Sequence, residues 1–503
     1  MMPLQSLAAA APTPDGYLLV LAIILPATAI VALVGLGGRG AAGIVLASLA
    51  AQLIIAIRVL GLVWQGGAPV VYVVGGWDPP LGIALRADGV SAVMMLTSAI
   101  IFSAAAAFAW KDYRPPRWSP ETRGSLVFWS ALLAMASALN TLFTSADLFN
   151  LYVALELLTF AAIPVVSLKG SAETLRAALR YLIFAVFGSM LYLLGIVLLY
   201  GAYGTLDVTS LAALIRPNAA TLVAAALVTV GLLAKTALFP FHLWLPPAHA
   251  GAPAAGSAVL SALVVKGSLF LLMRLWFDAF PSLRDPAAMQ ILAALGAAAV
   301  IAGSVMAIRQ ARLKLLVAYS TVAQIGYMFF VFTLVPVLPG ESWIGASAWT
   351  GGWLQIVSHA FAKAAMFLAA GLVVEALGHD RIRDLSGLGK QLPLIVLTFA
   401  MSGVSLMGLP PSGGFSAKFM LLVAATAEGH WLWATVIIGG GLLAGIYIFG
   451  VLARMLAAMP DGTGVAEIGR GRQLIAFALA GVALLLGFLP LEPMALLQIG
   501  RMP

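Results

Sequence analysis

Eight ionisable side chains lie within long apolar stretches of this sequence, where a charge is costly. They are Glu156, Lys235, His242, His249, Lys266, His359, Lys363 and Lys418. A charged side chain at the centre of a bilayer costs about 2.5–3.5 kcal/mol on insertion scales, so it persists where it has a partner, water or a function. Carboxylates, amines and imidazoles all bind and release protons. The set therefore predicts proton transfer inside a membrane.

Glu156 and Lys235 are expected to act as a pair. Glu156 lies near the middle of the apolar stretch "DLFNLYVALELLTF", and Lys235 stands shortly before the proline of "KTALFPFHLWLPP". Burial disfavours the charged form of a lysine, whereas a nearby carboxylate favours it. Lys235 could therefore hold or release a proton according to the position of Glu156. The alternatives are a structural ion pair for Glu156 and a lysine that reaches the membrane interface for Lys235.

Lys266 and two histidines surround the second part of the same broken segment. Lys266 lies in "SAVLSALVVKGSLFLLM", and His242 and His249 lie on either side of "LWLPPA". Histidine relays protons near neutral pH. The alternative for each histidine is a hydrogen-bonded structural residue.

His359, Lys363 and Lys418 are the candidates in the second half of the chain. His359 and Lys363 share one helix face at positions i and i+4, which suits a hydrated path. Two cations on one face repel, so a neutral form of at least one is favoured. Lys418 follows the sequence "PPSGGF". Four polar residues of "AYSTVAQ" are interpreted instead as interhelical hydrogen-bonding groups: Tyr319, Ser320, Thr321 and Gln324.

Metal and cofactor sites are not predicted. The chain has no cysteine, which excludes disulfides, iron–sulfur clusters and thiolate zinc sites. Its five histidines are scattered and form no HExxH motif. The glycine-rich "GLPPSGGF" lacks the GK[ST] ending of a phosphate-binding loop.

The elements that position these residues must be membrane helices. The chain of 503 residues is 62% hydrophobic and only 9% charged, whereas soluble domains have about 25% charged residues. A helix needs roughly 20 apolar residues to cross the hydrocarbon. The sequence predicts an all-α polytopic protein that forms one membrane domain, residues 1–503, with 14 helices at about 17–36, 41–63, 88–110, 124–143, 148–167, 177–200, 219–241, 251–275, 287–308, 315–336, 352–376, 392–426, 431–454 and 473–490.

Two of these helices are expected to be broken, the seventh at "FPFHLWLPP" and the twelfth at "GLPPSGG". Proline removes a backbone donor and clashes with the preceding turn. Interrupted helices at corresponding places indicate a repeated transporter core. We expect a first repeat of helices four to eight, residues 124–275, and a second of helices nine to thirteen, residues 287–454.

Basic residues set the expected orientation. If both termini face outward, 17 of the 27 basic residues, Arg39 and Arg117 among them, lie on the inner side. Six lie on the outer side: Arg58, Arg86, Arg216, Arg274, Arg284 and Arg501. This bias follows the positive-inside rule, and it explains the net charge of +8 without a nucleic-acid partner.

Five ordered segments carry a resemblance to a known family. They are "DLFNLYVALELLTF", "AKTALFPFHLWLPPAHAGAPAAGSAVLSALVVKG", "RLKLLVAYSTVAQIGYM", "SHAFAKAAMFLAAG" and "GLPPSGGFSAK". They resemble the antiporter-like subunits of respiratory complex I and its relatives. Two further segments, "VYVVGGWDPPLGIALRADGVSA" and "HDRIRDLSGLGK", look closest to the D-subunit branch of the Mrp-type cation/proton antiporters, whereas "LPPAHAGAPAAGSA" is more similar to the complex I version.

The resemblance implies two inverted five-helix repeats and a central axis of lysine, glutamate and histidine. By motif match, Glu156 and Lys235 would be the glutamate of the fifth helix and the lysine of the seventh. Lys266 and Lys418 would be the lysines of the eighth and twelfth helices. The family also implies other membrane subunits as partners, with protons and Na+ or another monovalent cation as substrates. The alternatives are a pump module of a complex I-type enzyme or hydrogenase, without a redox centre of its own, and a structural scaffold.

Overall fold

Helices form most of the described chain, because a backbone in hydrocarbon must satisfy its own hydrogen bonds. The computed structural model describes residues 11–36, 40–114, 122–336, 343–458, 466–489 and 494–501. Within these ranges thirteen helices are long and apolar enough to cross a membrane. Two shorter apolar helices, Pro393–Met407 and Gly413–Ala427, make one further, interrupted crossing. The predicted all-α membrane protein with about 14 crossings is confirmed.

The helices of the first part of the chain are α1 (Tyr17–Gly35), α2 (Ala41–Gly66), α3 (Gly89–Tyr113), α4 (Arg123–Thr144), α5 (Leu148–Ser167), α6 (Ala172–Tyr203), α7 (Val208–Leu214), α8 (Ala219–Thr236), α9 (Leu245–Gly251), α10 (Ala254–Val259) and α11 (Val265–Arg274). Those of the second part are α12 (Pro286–Ile308), α13 (Leu313–Met328), α14 (Phe330–Leu334), α15 (Trp343–Leu377), α16 (Leu388–Gln391), α17 (Pro393–Met407), α18 (Gly413–Ala427), α19 (Trp431–Leu456) and α20 (Arg470–Leu485).

The seventh and twelfth crossings are broken, as predicted. Helix α8 ends at Thr236, and Ala237 adopts a left-handed conformation with φ of 56°. The chain then makes a short 3₁₀ turn before α9 begins. Helix α17 ends at Met407, the following Gly408 has a φ of 81° that favours glycine, and the Ser412 side chain caps the start of α18. The repeat boundaries at 124–275 and 287–454 stay a prediction.

The eighth crossing, Ala254–Ala279, contains two π-helical segments, Leu260–Val264 and Leu275–Ala279. Each π turn inserts extra backbone into the helix and re-aims the side chains that follow, and such turns are frequent at functional sites. The first segment ends two residues before Lys266. The second carries Asp278.

A close glycine contact holds α6 against α8. A Cβ atom at Gly188 would lie 2.6 Å from the Gly231 carbonyl oxygen, and one at Gly231 would lie 2.4 Å from the Gly188 oxygen. Small residues let membrane helices approach closely, so that van der Waals packing replaces the hydrophobic effect. The same Gly188 lies beside Lys235, whose Cγ would be 3.3 Å from an added Cβ. The absence of a side chain at Gly188 therefore leaves room beside the Lys235 side chain.

A two-stranded hairpin precedes α3 and was not predicted, because it lies in the connection between the predicted helices 41–63 and 88–110. Strand β1 (Val70–Val73) pairs antiparallel with β2 (Ala84–Ala87), and Val70 lies opposite Ala87. Strands of four residues are too short to give a clear alternating pattern. The hairpin leads directly to Asp88, whose side chain caps α3.

The predicted orientation of the chain stays a prediction. Arg39 and Arg117 lie outside the described residues, as do the first ten residues and the last two. Two members of the outer set, Arg86 and Arg274, are largely buried, because each forms an ion pair with Asp88. Loop position alone did not reveal these pairs.

Candidate proton-transfer site

Glu156 and Lys235 form an ion pair between α5 and α8. The Lys235 Nζ atom lies 3.0 Å from Glu156 Oε1 and donates a second hydrogen bond of 3.0 Å to Thr159 Oγ1. Ser189 of α6 donates a hydrogen bond to the same Glu156 oxygen. The Lys235 side chain is 6% exposed and that of Glu156 is 19% exposed. The predicted pair is therefore closed here, and Thr159 and Ser189 are partners that sequence reasoning missed.

Lys266 is completely buried beside the first π segment. Its ammonium group donates a hydrogen bond to the Ser261 carbonyl oxygen. The Ser261 hydroxyl lies 2.9 Å from Thr321 Oγ1 of α13. On the other side of Lys266, Ser268 Oγ lies 3.0 Å from Thr236 Oγ1, next to Lys235. Hydrogen bonds thus connect Lys266 with α13 through Ser261, and α8 with the eighth crossing through Thr236 and Ser268.

His359 and Lys363 both point into the core from α15. Lys363 Nζ donates a hydrogen bond of 3.0 Å to the Val317 carbonyl oxygen, and it also donates to Ser320 Oγ. Both ring nitrogens of the buried His359 lack a hydrogen-bond partner. The charges of Lys266, Lys363 and Lys418 all act on this imidazole. His359 therefore lies among the three buried lysines.

Lys418 lies at the second break. Its Nζ atom donates a hydrogen bond of 2.6 Å to the Leu406 carbonyl oxygen and lies 4.0 Å from the centre of the Tyr327 ring. Gln324 donates to the same carbonyl at 3.0 Å and accepts a bond of 3.0 Å from Gln355. The break frees a backbone oxygen that stabilises the buried ammonium group.

The two remaining histidines differ in their surroundings. His249 is 1% exposed, neither of its ring nitrogens has a partner, and the charges of Lys266 and Lys363 act on it. His242 is 8% exposed, and its ring centre lies 6.4 Å from that of Tyr319. His249 thus lies within the field of the central lysines, whereas His242 packs against the ring of Tyr319.

Three of the four polar "AYSTVAQ" residues divide between two roles. Thr321 and Gln324 bond to other helices, as interpreted from the sequence. Ser320 contacts Lys363 directly, so it belongs to the candidate site.

Three buried cations in this region have no carboxylate partner. Lys266, Lys363 and Lys418 form no ion pair with any residue in the described parts of the chain, and all are at most 5% exposed. A buried charge without a partner is expensive, so such amines lose their protons readily. Serine, threonine and glutamine side chains of α13 lie near them: Ser320 accepts from Lys363, Thr321 bonds to Ser261, and Gln324 shares the Leu406 carbonyl with Lys418. The arrangement can therefore pass protons between amines and imidazoles with the help of internal water.

A second buried cluster was missed by sequence reasoning. Arg274 Nη1 lies 2.6 Å from Asp88 Oδ2 and 2.8 Å from Asp278 Oδ2. The i, i+4 spacing of Arg274 and Asp278 in "LMRLWFDAF" is the signal that could have indicated the pair. In the described residues no group of three or more histidine or acidic side chains could hold a metal ion.

Comparisons with known proteins cover most of the chain. A family model described as "NADH:quinone oxidoreductase/Mrp antiporter, TM" matches residues 145–444, which include all eight candidate residues. The N subunit of the NADH-quinone oxidoreductase of Desulforudis audaxviator is 34% identical over 414 residues, covering 82% of this chain and 80% of that protein. The D subunit of the Na(+)/H(+) antiporter of Alkalihalophilus pseudofirmus is 29% identical over 396 residues, covering 78% and 77%.

Solved structures of related membrane complexes contain chains with a similar fold. A chain in the structure of the Mrp complex from Dietzia sp. superimposes with a TM-score of 0.85 at 25% identity, covering 97% of this chain and 98% of that one. A chain of the membrane-bound sulfane sulfur reductase, an archaeal respiratory membrane complex, gives a TM-score of 0.84 at 25% identity, covering 96% of both chains.

Proposed function

Because the chain belongs to the NADH:quinone oxidoreductase/Mrp antiporter membrane-subunit family, we propose that it is the proton-translocating subunit of a multisubunit monovalent cation/proton antiporter. Its relatives include Na(+)/H(+) antiporter D subunits, and its fold matches a chain of an Mrp complex. In this role it works beside other membrane subunits, and the assembled complex exchanges protons against Na+ or a similar cation. It resides in the plasma membrane with both termini outside.

The observation that carries this function is the buried lysine and histidine array without counter-charges. Lys266, Lys363 and Lys418 are held by carbonyl and hydroxyl oxygens rather than by carboxylates. A scaffold would gain nothing from burying three unpaired cations, because apolar residues of similar size are at least as stable in such places. Exchangeable protons explain why the amines are there.

Each candidate residue then has a role. Glu156 controls whether Lys235 holds its proton, and Lys266 connects Lys235 with the second half. His249, His359 and Lys363 relay the proton through the centre, and Lys418 ends the path at the second break. His242 is a further relay beside the first break. The two halves correspond to the repeats 124–275 and 287–454.

The test is proton movement by the purified native complex in vesicles. The variant Lys363→Met keeps an unbranched side chain of similar length but cannot bind a proton, and we expect it to lose cation-driven proton movement. The matched control is Lys111→Met, since Lys111 is 67% exposed and pairs only loosely with Glu375 at 3.5 Å. Undiminished exchange by an assembled Lys363→Met complex would overturn the proposed role of the array.

A second candidate function is a proton-pumping module of a complex I-type enzyme or a hydrogenase-like complex. It is favoured by the 34% identity to the N subunit of an NADH-quinone oxidoreductase and by the match to the sulfane sulfur reductase. In that assembly the chain would move protons without a redox centre of its own. Purification of the native complex distinguishes the two, because iron–sulfur subunits would accompany a pump module and only further membrane subunits an antiporter.

A further inference from the structure

Four charged side chains meet where β2 leads into α3 and the eighth crossing ends. Arg86 and Asp88 come from the hairpin and the start of α3, and Arg274 and Asp278 come from the end of that crossing. The side chains of Asp88 and Asp278 are only 2% and 3% exposed. The cluster lies far along the chain from every lysine of the candidate site except Lys266, which lies about three helical turns away on the same crossing.

The two carboxylates of this cluster differ in how many of their oxygen atoms have a hydrogen-bond or ion-pair partner. Asp88 Oδ1 accepts a hydrogen bond of 3.0 Å from the Ser91 backbone, and its Oδ2 contacts Arg274 at 2.6 Å and Arg86 at 3.5 Å. Asp278 contacts Arg274 through Oδ2 alone, and its buried Oδ1 atom has no hydrogen-bond partner. An ionised carboxylate oxygen left unpaired in the interior costs several kcal/mol.

A small cavity lies beside this carboxylate. It provides about 30 Å³ in which water molecules can be centred, and its lining includes Asp278, Arg274, Arg86, Ser145 and Thr209. One water molecule needs about 10–15 Å³ of such space and two to four polar partners. The cavity therefore has room and partners for about two water molecules. Leu142 also lines it and packs beside Gly267, the residue after Lys266, so apolar side chains stand between the cavity and that lysine.

We propose that this cavity is a hydrated proton-binding site, in which Asp278 Oδ1 takes a proton from cavity water and returns it, separately from the lysine array. In the ionised state a cavity water donates a hydrogen bond to Oδ1. In the protonated state the carboxyl group donates to that water, while Oδ2 continues to accept from Arg274. Thr209 and Arg86, which also line the cavity, offer further polar groups to the water molecules.

The surrounding charges explain why Asp278, and not Asp88, exchanges the proton. Burial alone would raise the pKa of Asp88, but Arg274 and Arg86 outweigh it and hold that pKa below its usual value. Asp88 therefore stays ionised. The charged groups that act on Asp278 are Arg274 on its own helix, Asp88 and Arg86 from the α3 entrance, and Arg501 from the C-terminal segment. When both carboxylates are ionised, the two positive charges of Arg86 and Arg274 balance their two negative charges.

Infrared difference spectroscopy of the assembled native complex tests this site without using transport. As the pH is lowered, we expect the C=O band of one buried protonated carboxyl group to grow, to shift in D₂O, and to be lost in Asp278→Asn. The matched control is Asp285→Asn, an exposed cap at the start of α12 on the same end of the bundle, which should keep the band. Asp278→Glu should restore it.

An unchanged band in a correctly assembled Asp278→Asn complex would overturn the site. If that variant does not assemble, a density map of the unaltered complex decides. Water density within hydrogen-bond distance of Asp278 Oδ1 supports the site, and an empty or collapsed cavity refutes it. Asp278 would bind its proton whether or not the lysine array conducts, so failure of this test leaves the proposed function standing.

Discussion

Replacement of Glu156 by glutamine isolates the charge of the Glu156–Lys235 pair. Glutamine keeps the length of the side chain and can still accept hydrogen bonds from Ser189 and Lys235, but it carries no charge. At the observed 3.0 Å between Lys235 Nζ and Glu156 Oε1, the Coulomb attraction is about 5 kcal/mol at an effective dielectric constant of about 20. Solvent screening of the partly exposed Glu156 reduces this value, and we take about 3 kcal/mol.

A loss of about 3 kcal/mol changes the balance between charged and neutral Lys235 by roughly a hundredfold. We therefore expect Glu156→Gln to reduce ion-driven proton movement to below about a tenth of the unaltered rate. In Glu156→Asp the carboxylate withdraws by one C–C bond, about 1.5 Å, and about two thirds of the attraction remains. That variant should keep part of the activity.

The assay is proton movement driven by an ion gradient, in vesicles that hold equal amounts of each assembled complex. The control is Glu173→Gln, because the Glu173 side chain is 79% exposed and lies 3.5 Å from Arg312, so its pair should contribute little. Full activity in Glu156→Gln would remove the charge pair from the mechanism. It would favour a scaffold role instead, since a hydrogen-bonding side chain would then be sufficient.

Three further predictions concern other parts of the molecule. Lys418→Ala should abolish coupled transport while the complex still assembles, and exchange at the normal rate in that complex would contradict the proposed path. The single chain, purified into liposomes, should show no cation/proton exchange, because the described residues contain no carboxylate cluster able to coordinate a cation; sodium-dependent proton flux from it alone would refute this. Asp88→Asn should lower stability at neutral pH by about 3–5 kcal/mol, since it breaks a buried ion pair. Because the pKa of Asp88 is held below its usual value, that stability is present above about pH 4 and is lost as the pH falls through the folded-state value. Thermal unfolding scans should therefore show the difference between the two proteins shrinking in acid.

The crossings and the two breaks could be predicted from sequence because apolar length and proline act locally. The fifth crossing, predicted at 148–167, has those bounds in α5. The sixth was predicted at 177–200, but α6 runs from Ala172 to Tyr203, since the Ser171 cap and the positive φ of Gly204 set its ends. The eleventh was predicted from residue 352, whereas α15 begins at Trp343, because small residues dilute the apolar signal of its first turns.

The candidate residues were identifiable for the same reason, since a charge within an apolar stretch is visible in sequence. Their partners were not. Ser189 and Thr159 reach the Glu156–Lys235 pair from helix faces that only packing defines. The contact between Asp88 and Arg274 joins residues far apart in the chain, and no local pattern encodes it. The Ser261 and Leu406 carbonyl oxygens accept hydrogen bonds from Lys266 and Lys418 because the π turn and the second break interrupt the regular helix there.

The shared Leu406 carbonyl has a consequence for observing the protein at work. This oxygen accepts from Lys418 of α18 and from Gln324 of α13, and Gln324 in turn accepts from Gln355 of α15. A hydrogen bond from an ammonium group is roughly twice as strong as one from a neutral donor. The stretching frequency of this one carbonyl therefore depends on the charge of Lys418. A ¹³C label at the Leu406 carbonyl would report each arrival and departure of the proton as a spectral shift, with every side chain of the path left unaltered.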